Sequence, residues 1–331
     1  MILGLDIGGA NLKAATSDGR AASVPFALWK QPEKLPAALS ELIARFPDAA
    51  ELAVTMTGEL CDCFETKREG VRQIVAATEL AGVGRRIRYW GTDGGFHPAT
   101  SAIERQPLIA AANWHALATF VGGQFAPSGF AILIDVGSTT TDLIPLIDGQ
   151  PKTIGLTDES RMRSGELVYT GIRRTPATTF LGFDAAAEFF ATVYDAHLVV
   201  GNVEEDEDDK DTADGRPASR RYAHGRLSRM LGGDSEQTPV SATEALAELI
   251  VGRQRNVLSD KIAAILARYE PAQAVAIVSG SGEFLAFALA SDSRFQDRIQ
   301  SIISLMGQIG PECSEAAPAY AVARLAAERL P

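Results

Sequence analysis

One local pattern occurs twice in this chain: an apolar strand that delivers an aspartate, a glycine turn, small polar residues, then a second strand. The first copy is LDIGGANLK at 5–13 and the second is LIDVGSTTTDLI at 133–144. Glycine lets backbone N–H groups approach a ligand closely, and consecutive N–H groups in such a turn form an anion-binding nest. Gly8, Gly9 and Asn11 in the first turn, and Gly137, Ser138, Thr139 and Thr140 in the second, are therefore the expected phosphate contacts. Asp6 and Asp135 end their strands, where a carboxylate can hold magnesium directly or through water. Asp142 can do likewise, and Lys13 adds a cation. A third turn of Ser279, Gly280, Ser281, Gly282 and Glu283 follows the apolar run 274–278. One such turn is unremarkable, whereas two copies a lobe apart with a third late in the chain constrain the whole fold.

The rest of the chain alternates strands and helices. Apolar strand runs fall at 2–7, 12–16, 52–57 and 87–90. Leu35, Leu39, Leu42, Ile43 and Phe46 are spaced for a helix, as are 71–80 and 109–120. A glycine-rich joint at 122–129 precedes the second copy, with strands at 130–136 and 140–147. A strand is expected at 193–200, one long or two shorter helices over 242–269, a buried strand at 274–278 and a closing helix at 316–330. This alternation predicts an α/β protein with sheets covered by helices. The expected lobes are 1–124 with about 308–331, and 127–307.

Composition sets limits on function. The 331 residues are 46% hydrophobic and 22% charged, ordinary for a chain that buries cores, and too many for one. A formal net charge of -11 gives no support to nucleic-acid or anionic-membrane binding. Three cysteines, Cys61, Cys63 and Cys313, make no disulfide framework and fit a reducing cytoplasm. The N-terminus lacks signal-peptide character, and no run reaches the roughly 18–20 apolar residues of a membrane span. The acidic run EEDEDDKD at 204–211 reads as a solvated loop, or as one that orders around a metal-bound ligand.

The three glycine turns resemble the two phosphate motifs and the adenosine motif of the actin and hexokinase superfamily. That resemblance implies an actin-like ATPase (ribonuclease H-like) fold of two related lobes, with a ligand cleft between them and ATP with Mg2+ as the usual ligand. VTMTGEL at 54–60 and GELVYTGIRRTP at 165–176 are similar to the hydantoinase A/oxoprolinase branch. ANW at 112–114, TADGRP at 212–217 and RLSRM at 226–230 resemble a short subgroup linked to tetrahydromethanopterin-dependent one-carbon metabolism. Its archaeal members include a methanofuran-biosynthesis enzyme that joins an aminomethylfuran diphosphate to γ-glutamyltyramine.

The resemblance implies a diphosphate-releasing transferase that forms an aryl ether. Paired phosphate loops and Mg2+ would stabilise charge on the departing diphosphate, with ATP a ligand the fold allows but the reaction does not require. Lys13, Arg226 or Arg229 could supply further positive charge. The phenol, with a reference pKa of about 10, needs a base, for which Asp93, Asp142, Glu166 and His97 are candidates. Asn113, Trp114 and Tyr169 are candidate substrate contacts, the rings by stacking. Two other readings stay open: an ATP-dependent kinase or amidohydrolase, and a non-catalytic sensor of a phosphorylated ligand. The expected partner is a small phosphorylated molecule, and a homodimer is compatible with the sequence.

Overall fold

The computed structural model describes residues 1–182 and 185–330. The first sheet contains β1 (Ile2–Ile7), β2 (Asn11–Thr16), β3 (Ala21–Pro25), β4 (Glu51–Met56), β5 (Arg86–Trp90) and β6 (Phe96–His97), in the order β3-β2-β1-β4-β5-β6. The second contains β7 (Phe130–Val136), β8 (Thr141–Ile147), β9 (Gln150–Pro151), β10 (Leu167–Val168), β11 (Ala274–Ser279) and β12 (Ile299–Ser304). Its order is β10-β8-β7-β11-β12, with β9 paired to β8. Each sheet joins an antiparallel hairpin to parallel strands: β1 runs parallel to β4 and β4 to β5, while β11 runs parallel to both β7 and β12. The repeat seen in the sequence is thus a repeat of topology.

The strands are apolar almost without interruption because helices cover both faces of each sheet. Helices Asn113–Phe125 and Ala317–Arg329 pack against each other between the sheets. The second of these lies on β1, β2 and β4, and the first reaches β8 and β9. Trp90, Phe120, Leu133, Ile144, Tyr320 and Leu325 share this central core. Gly4 permits the close approach of the C-terminal helix, since a Cβ there would lie 1.8 Å from the Ala319 carbonyl oxygen. On the outer faces, Leu39, Ile43, Ile74 and Val75 cover the first sheet, and Leu258, Ile262, Leu285 and Leu289 cover the second. Each such side chain contributes about 1.5–3 kcal/mol when fully buried.

One expectation is overturned, and two readings that the sequence left open are narrowed. The segment read as a strand at 193–200 is a helix, Val193–Val199. Thr192 caps it, and the Asp195 carboxylate accepts the Thr192 N–H at 2.9 Å, which closes a capping box. The 242–269 segment is one helix, Val240–Tyr269. The acidic run is held in place: Arg173 pairs with Asp209 at 2.7 Å, and the Asp206 N–H donates to the Ala218 carbonyl at 2.9 Å. Among the described residues no helix is long and apolar enough to cross a membrane. Pro331, the end of the expected first lobe, lies outside the described residues.

Candidate active site

Parallel strands end at a common edge, and here those edges carry the chemistry. β1, β4 and β5 deliver Asp6 with Gly8, then Glu59, then Asp93. β7 and β11 deliver Asp135 with Gly137, then Gly280. The Gly8 N–H donates back to the Asn11 carbonyl at 3.1 Å, and the Gly137 N–H to the Thr140 carbonyl at 2.9 Å, so the two turns close in the same way. Among the described residues, the N–H groups of Gly9, Ala10, Ser138, Thr139, Thr140, Gly280 and Ser281 donate to no protein acceptor. Consecutive free N–H groups in a tight turn are the kind of donor set that binds anions.

The turns are braced from behind. Residues 171–174 lie along the second turn: the Ile172 N–H donates to the Gly137 carbonyl at 2.9 Å, and those of Arg173 and Arg174 to the Ser138 carbonyl at 3.0 and 2.9 Å. Gly171 is required for this contact, since a Cβ there would come within 2.5 Å of the Gly137 carbonyl oxygen. The third turn is pinned to the same strand end, with the Gly282 N–H donating to the Val136 carbonyl at 2.8 Å.

One cation links the two hairpins electrostatically. Burial pushes the Asp6 carboxyl up to about 6, and the Lys13 ammonium opposite it on β2 pulls the other way. Burial and the charge of Asp142 push Asp135 up to about 7, while the Ser279 hydroxyl and the same Lys13 oppose the rise. One ammonium therefore acts on an aspartate from each lobe. Its Nζ donates to the Glu315 carbonyl at 2.6 Å. Asp6 Oδ1 is buried without a hydrogen-bond partner, which suits a carboxylate waiting for a cation or a donor. Among the described residues no three His, Cys, Asp or Glu side chains gather as a metal cluster. Asp6 and Asp135 each offer the hard carboxylate oxygens that magnesium takes.

Several other candidates are occupied elsewhere. Asp142 pairs with the buried Arg161, whose guanidinium also lies 4.0 Å from the Trp114 ring centroid. Asp142 is thereby neutralised, and Trp114 is a cation–π partner inside the core, not an open stacking platform. Glu166 is fully buried and accepts from the Ile154 N–H at 2.9 Å, the Ser164 hydroxyl at 2.7 Å and Arg268 at 3.1 Å. A carboxylate so satisfied serves as a structural anchor. Arg226 is fully buried between Asp195 at 2.7 Å and Asp214 at 3.0 Å, and Arg229 lies 3.7 Å from Asp214. These contacts clip the 212–217 loop to the helix Val193–Val199. Asp93 is at the edge but bonds His97 at 3.0 Å. The Glu283 carboxylate accepts from Ser304 and from the Met306 N–H, which joins the third turn to β12. Asn113 opens the helix Asn113–Phe125, and the Tyr169 side chain is exposed.

Glu59 was not among the candidates. It follows β4 just as Gly8 follows β1, and the strand-plus-acid signal was already present in TMTGEL. It is 1% exposed, with neither carboxylate oxygen hydrogen-bonded. Burial pushes it up to about 7. The ion pair between Lys67 and Asp158, 3.7 Å apart, joins the lobes beside it.

Comparison with known proteins agrees with this architecture. The hydantoinase/oxoprolinase family model matches residues 51–329. A Methanocaldococcus jannaschii protein, (4-{4-[2-(gamma-L-glutamylamino)ethyl]phenoxymethyl}furan-2-yl)methanamine synthase, is 30% identical over 100% of this chain and 98% of its own length. The Methanococcus vannielii protein of the same name is 31% identical over 60% of this chain and 91% of its own length. Among solved structures, a ROK family glucokinase from Streptomyces griseus, in complex with glucose and AMPPNP, covers 99% of both chains at 15% identity with a TM-score of 0.52. A nucleotide-free acetone carboxylase structure covers 98% of this chain and 70% of that one, at 10% identity with a TM-score of 0.56. The two-lobed fold is thus shared with ATP-binding kinases, and by sequence the chain belongs to the hydantoinase/oxoprolinase family.

Proposed function

We propose that the protein is a transferase of methanofuran-like coenzyme synthesis, linked to tetrahydromethanopterin-dependent one-carbon metabolism. It couples an aminomethylfuran diphosphate to γ-glutamyltyramine and releases diphosphate. The observation that carries this reading is the end-to-end match to a synthase named for a phenoxymethylfuran methanamine product. The site supports it physically. Two turns with free N–H groups, plus Lys13, suit a diphosphate held across the lobes.

The chemistry is a displacement at the furfuryl methylene. The bond from that carbon to the diphosphate oxygen breaks, the phenol oxygen bonds to the carbon, and the phenol proton leaves. The turn N–H groups orient the diphosphate and stabilise the charge that grows on it as the bond breaks. Asp6 and Asp135 are the residues that would hold Mg2+, which supplies positive charge to the leaving group when bound. No step calls for ATP, because the phosphate site serves the substrate itself.

The test is direct. Purified protein with Mg2+, the aminomethylfuran diphosphate and γ-glutamyltyramine should yield the ether and one diphosphate per turnover, at a rate that added ATP does not raise. Intact protein that forms no ether under these conditions contradicts the proposal. Turnover that requires ATP would support the kinase or amidohydrolase reading instead.

A further inference from the structure

A phenol oxygen is a weak nucleophile until it loses its proton, and the site so far described lacks the group that takes it. Beyond Asp6 and Asp135, four acids come into question. Asp142 is held by Arg161, Glu166 by three kinds of donor, and Asp93 by His97. Glu59 alone has both oxygens buried and unpartnered.

Its surroundings are those of a reactive group. Glu59 lies in the turn Gly58–Leu60 that follows β4, and Gly58 packs against the Gly8 backbone. Ala111, whose N–H dipole acts on the carboxylate without meeting hydrogen-bond geometry, holds a left-handed φ of 49°. A non-glycine residue in that region is strained, and such strain gathers at functional sites. Lys67, Ala111 and Asp158, which act electrostatically on Glu59, also line a cavity of about 90 Å³. The groups that face the carboxyl are Lys67 from one lobe, Asp158 and Tyr169 from the other, and Cys61 beside it in the chain.

From this geometry, and resting on the ether-forming reading above, we infer that Glu59 is the general base that accepts the acceptor's phenolic proton. A hydroxyl donor satisfies the orphaned oxygens, and the seam closed by Lys67 and Asp158 is where that hydroxyl enters. As the ether bond forms, the proton passes to Glu59 and diphosphate leaves from the furfuryl methylene, so atoms and charge balance. The carboxyl's value of about 7 suits the task, because a base works best when it titrates near the operating pH.

The experiment compares wild type with E59Q in the ether assay across pH, alongside calorimetry with inorganic diphosphate and Mg2+. The expected result is a kcat lower by roughly 10²–10⁴-fold, diphosphate affinity within about threefold of wild type, and loss of an activity limb that rises through about pH 7. A ring-fluorinated acceptor, being more acidic, should restore part of the rate in E59Q. Wild-type ether synthesis with undiminished E59Q turnover, or with the same pH limb in both, overturns this assignment alone. No ether from wild type overturns the parent reading and this one together. Should E59Q fail to fold, wild type decides: a limb that stays near pH 7 with the fluorinated acceptor supports Glu59, and a limb that follows the acceptor's acidity overturns it.

Discussion

The two hairpins share a topology and differ in what stands opposite the aspartate. Across from Asp6 the partner strand places Lys13, and across from Asp135 it places Asp142. The first pair is self-compensating. The second places two carboxylates side by side, and the protein answers with Arg161, buried and stacked on Trp114, which takes up the charge of Asp142 and leaves Asp135 without a cation of its own beyond the influence of Lys13. The difference teaches that shared topology sets where the acids sit, while the side chains packed around them decide which remain free for a ligand.

The comparison can be broken most forcefully at Arg161. R161M leaves Asp142 buried beside Asp135 with no partner, and stability to urea should fall by about 3–5 kcal/mol. Adding D142N should recover much of that loss. If R161M alone is neutral, the second hairpin does not depend on this pair. Next come D6N and D135N. Each should lower kcat/KM by on the order of 10²–10³-fold, with little loss of fold. Comparable effects from both lobes sharpen the claim of a shared site, whereas a harmless D6N would reduce the first hairpin to scaffolding.

A smaller effect is expected at Gly171. G171A drives a methyl toward the Gly137 carbonyl and should cost about 1–3 kcal/mol, with weaker diphosphate binding by calorimetry. The smallest concerns Glu59. Its carboxyl is raised in the folded state, so the stability it contributes is full below about pH 4.5 and is lost as pH climbs through about 7. E59Q should therefore be more stable than wild type at pH 8 and show no such gain at pH 4. An equal shift at both pH values would argue that the substitution acts by packing.

The strands, turns and closing helix were legible because they depend on local spacing. The alternation around Asp6 and Asp135 predicted two hairpins, and the hairpins are there. Val193–Val199 was misread because its aliphatic run suits a strand, while the capping residues Thr192 and Asp195 were the better guide. Site residues were harder. Nothing near Arg226 in the chain announces that Asp195, 31 residues away, will meet it in the core. Glu166 and Glu59 look alike as strand-flanking acids. Which of them stays unsatisfied depends on whether the 154–155 backbone returns to donate, and that is a tertiary fact.

The account turns on a polyanion held between the two glycine turns. Its most direct test is a crystal structure with Mg2+ and inorganic diphosphate. One diphosphate should lie between the 8–11 and 137–140 turns, accepting N–H groups from both, with the metal on Asp6 and Asp135. Diphosphate bound to a single lobe, or anywhere outside that seam, would contradict it.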